Sequence, residues 1–298
     1  SSWNGGAGFF PIGDGLTSSS ARRFTGTFDG LNHNISNITI NQPVSGAYIG
    51  LFGYTSNAAI RNIGLVNASV SGAFIVGALV GLEQGGTIDN AYATGSVISS
   101  NYAGGLVGGN AGSITNAYAT VSVNGGSMTG GLVGANAGSI VNAYATGSVI
   151  GNGNRAIVGG LVGANGSNGT ITNAYAAGSV SGTNTIGALV GSNSDPSSTI
   201  SNSYWDTTTG LAAGIGANNG GTITGGAGLI AAQLAAALPS GFSSSVWANG
   251  SNQSTPYLLA NTGFDNYSGS VLVGTDTSGA QYKVITSLTQ LQNINSTG

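Results

Sequence analysis

Charge is almost missing from this 298-residue chain, which carries eight acidic and five basic side chains. A globular domain of ordinary composition has about a quarter of its residues charged. The basic residues are Arg22, Arg23, Arg61, Arg155 and Lys283. They are too few and too scattered to neutralise a row of phosphates, which argues against a nucleic-acid partner. Cysteine is absent, so disulfides and thiolate metal sites are excluded, and compartment is left open. His33 is the single histidine; a multi-histidine metal centre is impossible, and any Ser-His-Asp triad would have to use it. The longest helix-like apolar run, Ala227 to Leu238, is too short to span a bilayer, so membrane insertion is not expected. The opening Ser1-Ser2-Trp3-Asn4-Gly5 has neither the basic nor the apolar region of a signal peptide. Both features fit a piece of a longer exported chain.

Glycine, by contrast, occurs 55 times, and Ser, Thr, Asn and Ala fill most of what remains. Such a composition accompanies disorder when aliphatic residues are scarce. Here Val, Ile and Leu return at regular intervals and the mean hydropathy is +0.21, which predicts a folded chain.

The regularity is an internal repeat. Gly-[Gly/Ala]-Leu-Val-Gly occurs at 77–81, 104–108, 130–134, 159–163 and 187–191, with Ile49-Gly50-Leu51-Phe52-Gly53 as a forerunner. A second block follows each, first as Ile88-Asp89-Asn90-Ala91-Tyr92-Ala93-Thr94-Gly95-Ser96-Val97. It returns at Ile114 to Val123, Ile140 to Val149 and Ile171 to Val180, and in reduced form at Ile200 to Trp205. Ile60 to Val70 is a tyrosine-free copy. Tyr92, Tyr118, Tyr144, Tyr175 and Tyr204 are spaced 26, 26, 31 and 29 residues apart.

A period near 26 with short β-type runs predicts an all-β, right-handed parallel β-helix, each period forming one coil of about three strands and three turns. Successive coils pair in parallel about 4.8 Å apart, so equivalent residues stack. Ile88, Ile114, Ile140 and Ile171 should form one buried column and Val97, Val123, Val149 and Val180 another. Ala91, Ala117, Ala143 and Ala174 should fill the narrow interior. The glycines flanking Leu-Val are expected in tight turns with positive φ, and the insertion Gly151 to Arg155 is expected in a turn. Leu229 to Leu238, stopped by Pro239, reads as one short helix covering part of the solenoid. The expected organisation is a lead-in end over 1–23, the repeat β-helix over 24–205, a closing cap over 206–266, and a connector opening a further module over 267–298.

Carbohydrate-active β-helices need clustered carboxylates. The acids here, Asp14, Asp29, Glu83, Asp89, Asp195, Asp206, Asp265 and Asp276, form no column, since Asp89 is replaced in register by Thr115, Val141 and Thr172. No catalytic residue, metal site or cofactor is expected, and the chain is read as not an enzyme. Asp29 and His33 read as a hydrogen-bonded turn. Asn90, Asn116, Asn142, Asn173 and Asn202 recur at one site and are expected to form a structural ladder of stacked amides. The tyrosine column Tyr92, Tyr118, Tyr144, Tyr175 and Tyr204 reads as a stiffening stack, or as an aromatic stripe for sugars or a neighbouring filament. Asn-x-Ser/Thr sites at Asn34, Asn37, Asn67, Asn165, Asn168, Asn249 and Asn252 leave sugar modification open.

These blocks resemble the GLUG motif of haemagglutinin-like exoproteins and of some large secreted peptidases outside their catalytic parts. The segment from Gly8-Phe9-Phe10-Pro11-Ile12-Gly13 through Phe24 to Ile40 is similar to the stretch that precedes such arrays. Tyr204-Trp205-Asp206, Leu238 to Phe242, Val246-Trp247 and Thr255-Pro256-Tyr257-Leu258 resemble their closing module. The resemblance implies a filamentous-haemagglutinin-like adhesin, extracellular or on a bacterial surface, exported by an outer-membrane partner. A rigid stalk or filament unit is the leading function. A carbohydrate-binding module using the tyrosines and a polysaccharide-active enzyme are the alternatives, and glycans or host surfaces are the implied targets. Gln281 to Gly298 is expected to pack on the Trp3 to Ile12 region of a neighbouring like module, stacking modules end to end.

Overall fold

The computed structural model describes residues 6–13, 23–211, 213–249, 255–263 and 265–266. The expected packing of Gln281 to Gly298 on Trp3, and the connector over 267–298, lie outside these residues.

Successive repeats form a parallel β-solenoid of about seven turns with one short helix. Pairing is in register along its length. Val80, Val107, Val133, Val162 and Val190 face one another coil by coil. Ile60, Ile88, Ile114, Ile140, Ile171 and Ile200 do the same. Val70, Val97, Val123, Val149 and Val180 make a third column. All these side chains are buried, as are Ala91, Ala117, Ala143 and Ala174 between them. Aliphatic columns therefore fill one continuous core, stabilised chiefly by removing that surface from water. Short strands such as Ile75–Gly77, Tyr102–Gly104 and Met128–Gly130 form a separate six-stranded parallel face just ahead of each Leu-Val pair.

The glycines beside Leu-Val are there for a different reason than expected. Gly104, Gly130, Gly159 and Gly187 do not have positive φ. A Cβ on any of them would collide with the carbonyl oxygen of the valine three residues later and with the backbone of the next coil. Close approach of the chain to itself, not turn geometry, requires glycine there. The left-handed positions are filled instead by asparagine: Asn62, Asn90, Asn116, Asn142, Asn173 and Asn202 have φ of 55, 51, 52, 52, 53 and 45°. Asparagine tolerates this conformation better than other side chains.

The solenoid also extends past the expected boundaries. Ile12 already bridges Phe52 in parallel. At the other end Ile215–Asn218, Thr222–Thr224 and Gly228–Leu229 pair with the preceding coil. The helix, Ala231–Ala236, follows at once and buries Leu234. Beyond it the chain turns back and runs along the outside of the solenoid. Phe242 and Trp247 cover Tyr175 and Tyr144. Asp265–Asn266 finally pairs in parallel with His33 and Asn34 in the first coil. The described residues between Ile230 and Asn266 thus form a longitudinal strap joining the last coil to the first.

Candidate functional site

Two asparagine columns and one tyrosine column hold most of the polar chemistry. The expected asparagine ladder lies at the left-handed bend of each coil. Its amides make hydrogen bonds upward from Asn90 Nδ2 to Asn62 Oδ1 (2.8 Å), from Asn142 Nδ2 to Asn116 Oδ1 (3.4 Å), and from Asn202 Nδ2 to Asn173 Oδ1 (3.4 Å). Asn116 donates instead to Asp89 Oδ1 at 3.2 Å. The strap joins in, with Asn261 Nδ2 donating to Asn90 Oδ1 at 2.8 Å and Trp247 Nε1 to Asn142 Oδ1 at 3.4 Å.

A second ladder was missed in the sequence. Asn110, Asn136, Asn165 and Asn193, each two residues after a Leu-Val-Gly, are buried. Each Nδ2 donates to the Oδ1 of the next coil, at 2.7, 2.8 and 2.9 Å, and Asn193 continues to Asn218 at 3.1 Å. The chain of amides is unidirectional, and each oxygen and nitrogen finds its complement one coil away. Asn136 also closes its own turn, accepting from Gly138 N and donating to the Gly138 carbonyl. The signal was available in the recurrence Gly-Leu-Val-Gly-x-Asn. A sequon reading of Asn165 is corrected here, because this side chain is 0% exposed and bonded at both neighbours.

The ladder stops at Glu83, which holds the same register position opposite Asn110, and Thr55 precedes it. Glu83 is 2% exposed, and neither carboxyl oxygen nor Thr55 Oγ1 has a hydrogen-bond partner among the described residues. Burial pushes its pKa up from 4.5 to about 8, so the group is a neutral acid at pH 7.

Tyr92, Tyr118, Tyr144 and Tyr175 stack with centroids 4.7, 4.7 and 5.1 Å apart and planes within 7° of parallel. Tyr204 holds the same register but meets Phe242 edge-on at 5.7 Å. Three hydroxyls are committed as well: Tyr92 donates to Asn34 Oδ1, Tyr175 to the Pro256 carbonyl and Tyr204 to the Ser240 carbonyl. Burial first, and the neighbouring phenols second, push Tyr118 and Tyr144 above the ordinary phenol range. This geometry weighs against the alternative reading of Tyr92, Tyr118, Tyr144, Tyr175 and Tyr204 as an aromatic stripe for sugars. Ring faces along the stack are taken by the adjacent coils, and the strap lies over its C-terminal half. Sugar binding on aromatic side chains needs a free ring face.

The acids stay apart. Asp29 accepts from Arg61 Nε at 2.8 Å, from Asn62 Nδ2 at 2.9 Å and from the Leu31 amide at 2.9 Å. Burial alone would raise its pKa, but these bonds hold it below the ordinary carboxylate value. A bulge separates Asp29 from His33. Among the described residues no three acidic or histidine side chains gather where one metal ion could be held. Among them, too, no helix is long and apolar enough to cross a membrane.

Comparison with known proteins agrees with this architecture. The family described as the GLUG motif matches residues 99–124 and 154–181, and the chain carries a GLUG repeat region. Halomucin of Haloquadratum walsbyi (strain DSM 16790 / HBSQ001) is 44% identical over 110 residues, 36% of this chain. The match spans about 1% of that much longer relative. Among solved structures, a candidate immunoglobulin A1 protease from Bacteroides ovatus superposes with a TM-score of 0.57 at 23% identity, covering 78% of this chain and 77% of that one. At that identity the likeness concerns the fold.

Proposed function

We propose that this chain is a non-catalytic, load-carrying segment of an extracellular or cell-surface adhesin of the filamentous-haemagglutinin-like kind. In this reading it is a rigid spacer that holds binding regions away from the cell. The observation that carries the proposal is the continuity of its columns. Aliphatic, amide and phenol side chains repeat in register through successive coils, and a strap ties the last coil to the first. Such a body resists bending because each coil is locked to its neighbours at several points around its circumference. The GLUG repeat region fits a structural repeat protein, and the match to a protein named halomucin supports a surface or secreted setting.

A spacer should be a stiff rod of roughly 35 Å, seven coils at about 4.8 Å each. Its native core should resist proteases that digest the unfolded chain. Small-angle scattering and limited proteolysis test both. The chain inserted between a membrane anchor and a binding domain should raise cell attachment, and its removal should lower it. Release of sugars from polysaccharides by the isolated chain, or a compact and rapidly digested particle, would overturn the reading. Nothing in the geometry favours a carbohydrate site on the stacked tyrosines. Tyr118→Ser and Tyr144→Ser should therefore leave glycan binding unchanged while lowering the unfolding temperature.

A further inference from the structure

The inner amide ladder has a direction, and glycine amides fix it. Gly112 N donates to Asn110 Oδ1 at 3.1 Å and Gly138 N to Asn136 Oδ1 at 3.3 Å. A backbone N–H can only donate, so the side-chain oxygen must stand at that point and the amide cannot be turned over. Each Nδ2 then points to the coil after it, and each oxygen offers its second lone pair to the coil before it. Asn136 Oδ1 accordingly takes two donors, Gly138 N and Asn110 Nδ2. Asn193 Oδ1 takes Ser198 Oγ and Asn165 Nδ2.

Asn110 Oδ1 takes only Gly112 N among the described residues. The coil before it offers Glu83 in register, and the coil before that Thr55. The Glu83 carboxyl reaches the Asn110 turn, since a Cβ on Gly112 would collide with Glu83 Oε1. A carboxylate accepts and cannot donate, so acceptor meets acceptor at this junction. Both Glu83 oxygens and Thr55 Oγ1 are buried without a hydrogen-bond partner among the described residues. Basic side chains of the first coils are engaged elsewhere: Arg61 with Asp29, and Arg23 with Gln84 and the ring of Tyr54. Three buried oxygens thus share one column with the second lone pair of Asn110 Oδ1, and Glu83 brings a negative charge when it ionises.

We propose that the junction of Thr55, Glu83 and Asn110 is a buried binding site for one hard monovalent cation, sodium or potassium. The donor set is all oxygen: a carboxylate, a hydroxyl and a side-chain carbonyl, which suits a hard ion and not a transition metal. One carboxylate balances a single positive charge, whereas a divalent ion would leave an uncompensated charge in the core. A cation there gives Glu83, Thr55 Oγ1 and Asn110 Oδ1 one common electropositive partner. It also continues the column, since each oxygen of the ladder then meets positive charge from the coil before it. A proton on Glu83 fills the same place, so ion and proton compete for it. The inference does not depend on an adhesive role.

Thermal unfolding of the full chain tests this, at a pH above the Glu83 value of about 8 so that the proton does not compete. Ionic strength is held constant with choline chloride, whose cation is too large for the site, so that general screening cancels. The unfolding midpoint should rise with the logarithm of sodium or potassium concentration, as for a ligand that binds only the folded state. Glu83→Gln should abolish the difference between these ions and choline. Thr55→Val should keep the response but move it to about tenfold higher ion concentration, the loss of one ligand. Equal midpoints in sodium, potassium and choline, a rise with calcium alone, or a sodium response that survives in Glu83→Gln would each overturn the proposal. Should Glu83→Gln fail to fold, the Thr55→Val shift decides whether the ion sits at this junction.

Discussion

The two asparagine columns use the same side chain for opposite purposes. At Asn90, Asn116, Asn142, Asn173 and Asn202 the backbone has positive φ, and the amides lie near the surface with bonds as long as 3.4 Å. Conformation selects asparagine there. At Asn110, Asn136, Asn165 and Asn193 the backbone φ is not positive, the side chains are buried, and the bonds run from 2.7 to 2.9 Å. Hydrogen bonding selects asparagine here. Its amide donates through Nδ2 and accepts through Oδ1, so one side chain per coil can bond to both neighbours. Repetition in a β-solenoid marks a position as constrained, and the constraint itself can be of either kind.

The sharpest way to break the comparison is to remove one inner amide. Asn136→Ala strands Asn110 Nδ2 and Asn165 Oδ1 in the core and opens the turn bonds of Gly138. Each buried unsatisfied group costs about 1–3 kcal/mol, so the loss should be about 4 kcal/mol. Chemical denaturation checks it. A loss under 1 kcal/mol would mean that the inner ladder is replaceable by water.

Glu83 gives the second test, because it occupies the inner column without joining it. Its folded pKa lies above its unfolded value. Below pH 4.5 both states bind the proton and nothing is lost. As pH rises toward about 8 the unfolded chain ionises while the folded chain does not, and stability falls by about 1.4 kcal/mol per unit. The total between pH 4.5 and 7 should be about 3 kcal/mol, levelling off above pH 8. On the paired strands the other titratable groups are Tyr54, Arg61, Asp89, Tyr92 and Tyr118. Of these Tyr54 bonds to Gln84, Arg61 to Asp29 and Asp89 to Asn116. Burial alone accounts for the shift. Glu83→Gln should abolish the slope, read as the denaturation midpoint against pH, and a slope that persists would assign it elsewhere.

This contrast also explains what could be read in advance. The coil period, the aliphatic columns and the tyrosine register follow from spacing, because parallel in-register pairing makes equal spacing mean equal environment. The outer asparagines were visible inside the Asn-Ala-Tyr block. The inner ones recur as regularly, but their burial was not visible, since a strand pattern reads polar residues as outward-facing and only the folded corner turns Asn136 inward. Glu83 and Thr55 further interrupt that column at its N-terminal end. The strap was illegible for another reason. Segment 229–266 has no periodicity to match the coils, and its contacts, such as Trp247 on Tyr144 and Asp265 beside His33, join residues more than a hundred positions apart.

The smallest effect belongs to the outer column and separates conformation from bonding. Asn116 has φ of 52°, where a residue with an ordinary Cβ is strained by about 1–2 kcal/mol and glycine is not. Its amide bonds, to Asp89 at 3.2 Å and from Asn142 at 3.4 Å, are long and partly exposed, so water replaces them cheaply. Asn116→Ala should therefore lower stability by about 1 kcal/mol, whereas Asn116→Gly should change it by less than about 0.5 kcal/mol. The same pair at Asn136 should behave in the reverse sense: both substitutions should be severely destabilising, with glycine no better than alanine, because no strain is relieved there. Parallel denaturation curves for the four variants decide the matter. If glycine rescues Asn136 or fails to rescue Asn116, the two columns do not owe their asparagines to different causes.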